Sequence, residues 1–103
     1  MAIFPRGVII NHGDIAVAVE RAALKLRPTV VHVRYSVGRD WSDDPAIFFR
    51  VLLSDAASGD KQLPQQITSV ILQEVNPQLA GLQPYFNFRS VSEQRVLKEE
   101  AWA

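Results

Sequence analysis

The sequence predicts an α+β fold, a two-layer sandwich of element order α-β-β-α-β with a short C-terminal helix added. Two segments with apolar residues at helical spacing, 15–26 and 62–76, predict the main helices. Three segments rich in β-branched and aromatic residues, 30–37, 46–55 and 85–89, predict the strands. We expect these strands to form a largely antiparallel sheet with both helices on one face.

The composition is that of one globular domain. The chain has 103 residues, of which 48% are hydrophobic and 21% charged, which suffices for one core. We therefore expect a single domain over residues 1–103, with an N-terminal arm at 1–13 and a C-terminal helix and tail at 90–103. Eleven basic and eleven acidic residues give a formal net charge of zero, which offers no support for electrostatic attraction of nucleic acid, although a local basic patch stays possible.

The absence of cysteine excludes disulfides and thiolate chemistry and is typical of a cytosolic protein. The first residues, MAIFPRGVIINHGD, lack the basic-then-apolar plan of a signal peptide. No stretch approaches the ~20 apolar residues that a membrane span needs. We expect a cytoplasmic location without membrane association.

The first helix follows an N-terminal segment that is expected to be an extended arm or a short edge strand. Pro5 and Gly7 limit regular strand pairing in that segment. Asp14 is the expected N-cap of the helix, and Pro28 follows its end. The apolar face of this helix consists of Ile15, Val19, Ala22, Ala23 and Leu26.

A hairpin is predicted from the first two strands. The connection between them, GRDWSDDP at 38–45, is rich in turn formers and too short for a helical crossover, so the strands should pair antiparallel. The second strand carries large apolar residues on both faces. One face has Ile47, Phe49, Val51 and Leu53, and the other has Phe48, Arg50, Leu52 and Ser54.

The second half of the chain has clear helix boundaries. Pro64 is tolerated in the first turn of the second helix, and Asn76-Pro77 ends it. Ser90 and Glu93 match the S-x-x-E capping box and predict the start of the short C-terminal helix.

The doubly apolar second strand predicts association. Two helices can cover one face of the sheet, so Phe48 and Leu52 on the other face need the N-terminal arm, the C-terminal helix or a second subunit over them. We expect a small non-catalytic interaction module that forms a homodimer or docks on a larger protein. The expected interface residues are Trp41, Phe48, Leu52, Phe86, Phe88 and Trp102.

An alternative function is that of a divalent-metal-dependent hydrolase. Asp40, Asp43 and Asp44 lie within five residues of one another, and clustered carboxylates can hold magnesium or calcium. The spacing of a calcium-binding EF-hand loop is absent, however, and turn chemistry alone accounts for these residue types. No cofactor is expected.

A weaker alternative is single-stranded nucleic-acid binding across the sheet through Phe48, Phe86 or Phe88. Aromatic strand residues near arginine can stack bases, as in the run YFNFR at 85–89. That run lacks the glycine pattern of the RNA-recognition strand, and alternating aromatic residues are more often part of a core. The histidines, His12 and His32, lack zinc-ligand spacing.

Overall fold

The computed structural model describes residues 12–77, 81–98 and 102. Its elements follow the predicted order, which confirms the α+β class. They are α1 (His12–Lys25), β1 (Val30–Arg39), β2 (Pro45–Leu53), α2 (Leu63–Val75), β3 (Gln83–Ser90) and α3 (Val91–Leu97). Residues 1–11 of the predicted arm lie outside the described residues, and residues 12 and 13 belong to α1. None of the helices in the described segments combines the length and apolar character needed to cross a bilayer.

The sheet is mixed, so the prediction of a largely antiparallel sheet is wrong. Its strand order is β1-β2-β3. The hairpin strands β1 and β2 pair antiparallel as expected, but β2 and β3 pair parallel. The physical reason is the connection through α2, which carries the chain back to the end of the sheet where β2 begins. Strand β3 therefore starts beside the start of β2, with Ala46 paired to Gln83.

One face of β2 forms the core together with both helices. Alternate residues Ile47, Phe49 and Val51 are completely buried. The same cluster contains these helix side chains: Ile15, Val19, Ala22, Ile67 and Ile71. Because side chains alternate along a strand, the residues between those of the core point to the opposite face of the sheet.

Local sequence determines how the helices begin and end. Helix α1 begins at His12, so Asp14 lies within its first turn and the prediction that Asp14 is the N-cap is wrong. In the first turn its carboxylate is stabilised by the positive end of the helix dipole. Helix α2 has Pro64 in its first turn and ends at Asn76, whose left-handed backbone (φ 45°) lets its N–H donate to the Leu72 carbonyl at 3.0 Å. The predicted capping box of α3 is confirmed at Ser90.

An ion-pair cluster joins the two main helices. The Lys25 ammonium and the Arg21 guanidinium, both on α1, form ion pairs with the Glu74 carboxylate on α2. The distance from the Arg21 guanidinium to Glu74 is 3.6 Å. The hydrogen bond from Lys25 is the main cause that lowers the pKa of Glu74 below its ordinary value. The cluster helps to hold α1 and α2 side by side over the core.

The two adjacent phenylalanines of β2 provide a test of the two faces. Phe49→Ala removes a completely buried ring, and we expect it to lower the free energy of unfolding by about 3–5 kcal/mol. Phe48→Ala is the matched control on the other face, where the ring is only half-buried, and it should cost clearly less. Urea unfolding followed by circular dichroism measures both values. Equal losses would contradict the assignment of the core face.

Candidate interaction surface

The face of the sheet opposite the α1 and α2 core is called the outer face. The strand register arranges its side chains in rows of three across β1, β2 and β3. From the hairpin end, the rows are Ser36–Phe48–Tyr85, then Arg34–Arg50–Asn87, then His32–Leu52–Arg89. The first row is aromatic, the second contains two arginines, and the third is covered by Trp102.

The central row places two arginines against each other. Arg34 on β1 lies directly opposite Arg50 on β2 in the antiparallel pair. Like charges in this position destabilise a sheet. Within residues 12–77, 81–98 and 102, neither arginine side chain has a hydrogen bond or an ion pair. Arg34 is exposed and Arg50 is half-buried, so the row presents two positive charges that no described residue compensates.

The row nearest the hairpin is aromatic. The Tyr85 ring stacks on Phe48, with centroids 5.5 Å apart and planes at 19°. Trp41, from the hairpin turn, packs edge-on against Tyr85 at 5.3 Å. Trp41 nevertheless remains 84% exposed, whereas large aromatic side chains usually bury most of their surface. The result is a connected group of three rings whose outermost member faces solvent.

Asp40 fixes this aromatic group to the hairpin. The Tyr85 hydroxyl donates to Asp40 Oδ2 at 2.7 Å. The other carboxylate oxygen accepts from the backbone N–H groups of Ser42 and Asp44, at 2.9 and 3.1 Å. The hydrogen bond from Tyr85 is the main cause that lowers the pKa of Asp40, and the same bond raises the pKa of Tyr85 to about 12. Both shifts favour the carboxylate bonded to the protonated phenol.

The remaining acids lie at the tip of the hairpin. The Asp43 side chain is 86% exposed and lies 3.7 Å from the Arg39 guanidinium, and Asp44 is also exposed. Both oxygens of Asp40 are already occupied by donors from the protein. Over the described part of the chain, no three histidine or acidic side chains are placed to hold a metal ion. The hydrolase hypothesis thus has no metal-binding geometry in that part.

The row farthest from the hairpin is covered by Trp102. His32 Nε2 lies 2.7 Å from the Trp102 carbonyl oxygen, and the Arg89 guanidinium lies 4.4 Å from the centre of the Trp102 ring. His32 and Arg89 flank Leu52 in the register, so Trp102 contacts the residues on both sides of this leucine. Leu52 and Trp102 are only 5% and 7% exposed. Within the part of the chain that the structure describes, Trp102 of the C-terminal tail is therefore the cover found beside Leu52.

The six predicted interface residues fall in three places. Trp41 and Phe48 belong to the aromatic end of the outer face, and Leu52 and Trp102 form its covered end. Phe86 and Phe88 lie on the opposite face, where both pack against the core and Phe86 stacks on Phe49 at 4.8 Å. The nucleic-acid hypothesis therefore has only Phe48 of its three phenylalanines on the outer face.

Sequence reasoning missed Arg34, Arg50 and Tyr85 as surface residues. Side-chain alternation places Arg34 on the face of β1 that also carries His32 and Ser36, and Arg50 on the face of β2 that also carries Phe48 and Leu52. The predicted strands 30–37 and 46–55 would pair residue 37 with residue 46 and set Arg34 opposite Phe49, one residue out of the observed register, so they do not bring the two arginines together. No pattern in the sequence located Tyr85 either, because the register of a strand paired across a helical crossover is not encoded locally.

Comparisons with protein-family models, with curated proteins and with solved structures found no match. The fold and the outer face together define a small α+β protein with an exposed aromatic and arginine surface.

The Asp40–Tyr85 hydrogen bond can be tested by titration. The absorbance change of Tyr85, obtained by subtracting the Tyr85→Phe profile, should have its midpoint at about pH 12. In Asp40→Asn an amide NH₂ replaces the accepting oxygen, so we expect the pKa of Tyr85 to fall toward its ordinary value of 10.0. Circular dichroism checks that each sample remains folded. A midpoint that does not change in Asp40→Asn would contradict the assigned cause.

The signs of the two shifts predict where this bond contributes to stability. The raised pKa of Tyr85 contributes fully below pH 10.0, and the contribution is lost as pH rises through about 12. The lowered pKa of Asp40 contributes above pH 3.8, and the contribution is lost as pH falls through the lowered value. Melting temperatures of wild type and Asp40→Asn should therefore differ most between these limits and converge at acid pH. A constant difference down to acid pH would contradict this linkage.

Proposed function

We propose that this chain is a non-catalytic interaction module that self-associates through the outer face. In this proposal α1 and α2 form one layer of a two-layer sandwich, and the sheet forms the other layer with its outer face available for binding. The observation that carries the proposal is the Arg34–Arg50 row, which has no hydrogen bond or ion pair with any described residue. It lies next to an aromatic group that ends in exposed Trp41.

The energetics of this surface favour an occupant. Opposed arginines raise the free energy of an isolated sheet, and carboxylates from a partner would reverse that cost. Burying a large aromatic or aliphatic side chain contributes ~1.5–3 kcal/mol, so covering Trp41 and the half-buried Phe48 adds to the gain. Tryptophan, tyrosine and arginine are also the residue types that dominate binding energy at protein interfaces.

A second copy of the chain fits this surface better than a polyanion does. A symmetric dimer requires a self-complementary surface, and the outer face carries arginines in its middle with acids at its hairpin end. A nucleic acid that stacked its bases on Tyr85 and Trp41 would bring its phosphates close to Asp40, Asp43 and Asp44. Those carboxylates would repel it. The same acids attract the arginines of a second copy.

Light scattering tests the proposal. We expect a mass of about twice the 11.5 kDa of one chain at micromolar concentration. Trp41→Ala should weaken the dimer by about tenfold or more, because it removes the exposed anchor. Leu24→Ala is the matched control, since Leu24 is an exposed apolar residue of α1 away from the outer face, and it should leave the dimer unchanged.

A wild-type protein that stays monomeric up to millimolar concentration would overturn the proposal. Binding of a labelled single-stranded oligonucleotide at low salt by such a monomer would support the nucleic-acid alternative instead. Dimers that Trp41→Ala and Leu24→Ala weaken equally would place the interface elsewhere on the molecule.

A further inference from the structure

We infer that, in the dimer, the acidic hairpin of each copy binds the Arg34–Arg50 pair of the other. The inference rests on the proposed self-association through the outer face and specifies which residues meet there. Its starting point is the charge arrangement of the face: Asp43 and Asp44 carry exposed carboxylates, and the arginine pair lacks acidic partners within the described residues.

The spacing of the rows allows this contact to be reciprocal. Along β2, Ile47 lies midway between Asp44, at the tip of the hairpin, and Arg50 in the arginine row. At a rise of ~3.3 Å per residue, Asp44 and Arg50 are each ~10 Å from Ile47 along the strand direction. A twofold axis in the interface plane that crosses the strands at the level of Ile47 therefore places Asp44 of one copy over the arginine row of the other.

This arrangement gives the interface a conventional composition. The stacked rings of Phe48 and Tyr85 lie next to the twofold axis, where they bury apolar surface against the aromatic end of the second copy. The charged contacts lie on both sides of this apolar centre, as in most protein interfaces. Each contact occurs twice because the dimer is symmetric.

The hydrogen bonds at the hairpin determine which acids meet the partner. Asp40 is held by the Tyr85 hydroxyl and by two backbone N–H groups, so its carboxylate serves the hairpin itself. Asp44 and Asp43 remain at the exposed tip, where their oxygens can accept from guanidinium groups. The Arg39 side chain, which lies 3.7 Å from Asp43 and donates to its backbone carbonyl at 2.7 Å, supports the tip.

Charge exchange between two variants tests the inference. The first variant carries Arg34→Glu with Arg50→Glu. The second carries Asp44→Lys with Asp43→Asn, because asparagine tolerates the left-handed backbone (φ 64°) at position 43. Alone, each variant opposes like charges at both contacts, so we expect its self-association to weaken by about tenfold or more. Mixed one to one, they pair opposite charges at both contacts and should form a heterodimer.

Native mass spectrometry distinguishes the heterodimer from either homodimer by mass, and circular dichroism confirms that each variant is folded. The matched control replaces the second variant with Asp60→Lys, a charge change in the exposed loop before α2; it still opposes like charges at one of the two contacts, so its heterodimer with the first variant should be weaker than that of the charge-exchanged pair. If a variant fails to fold, Arg34→Gln with Arg50→Gln replaces it, and weaker association with a reduced salt dependence is then expected.

The outcomes separate this inference from the proposed function. Homodimers of either charge-reversed variant as stable as wild type would overturn the hairpin–arginine contact, and so would mixtures that stay monomeric. Self-association that depends on Trp41 would still stand in both cases. A monomeric wild type would remove the proposed function, and this inference with it.

Discussion

The central strand must satisfy two different environments, and most of the structure follows from that constraint. On one face, Phe49 and its neighbours are sealed by α1 and α2. On the other face, Leu52 is apolar as well and is buried beside Trp102. Phe48 receives only a partial cover from Tyr85. Among the described residues, the outer face is therefore covered at the Leu52 end and only partly covered at the Phe48 end, and the Phe48 end is where we place the binding surface.

The hydrogen bond between Asp40 and Tyr85 fixes the structure of the Phe48 end of the outer face. Asp40 belongs to the hairpin turn and Tyr85 to β3, so one hydrogen bond joins two parts of the chain that are far apart in sequence. The same carboxylate organises the turn through backbone N–H groups. The hydrogen bond holds Tyr85 in place beside Trp41, which remains 84% exposed.

Features encoded by nearby residues were predictable from the sequence, and features that depend on distant pairing were not. The Ser90–Glu93 capping box and the α2 terminus at Asn76 depend on residues within one turn, and both were predicted correctly. The hairpin followed from a short connection. The parallel pairing of β3 depends on where α2 delivers the chain, and no local pattern specifies that.

The same division applies to the candidate surface. Trp41 and Phe48 were predicted because large apolar residues in a turn or on a second strand face need an explanation. Tyr85 and Phe86 are neighbours in sequence, so their side chains point to opposite faces of the sheet. Which of the two faces outward depends on the register of β3 against β2, and the sequence alone does not specify that register. The Arg34–Arg50 pair required the hairpin pairing to be followed residue by residue.

The mixed sheet also has a consequence for the order of folding. The β1–β2 hairpin closes a short turn, and such local contacts form quickly at a small entropic cost. Strand β3 reaches β2 only after the whole of α2 has been placed, so its pairing closes a much longer loop. Early in folding, the hairpin would therefore exist with one edge of β2 unpaired. Pairing of β3 with that edge would then be the slow step that completes the native sheet.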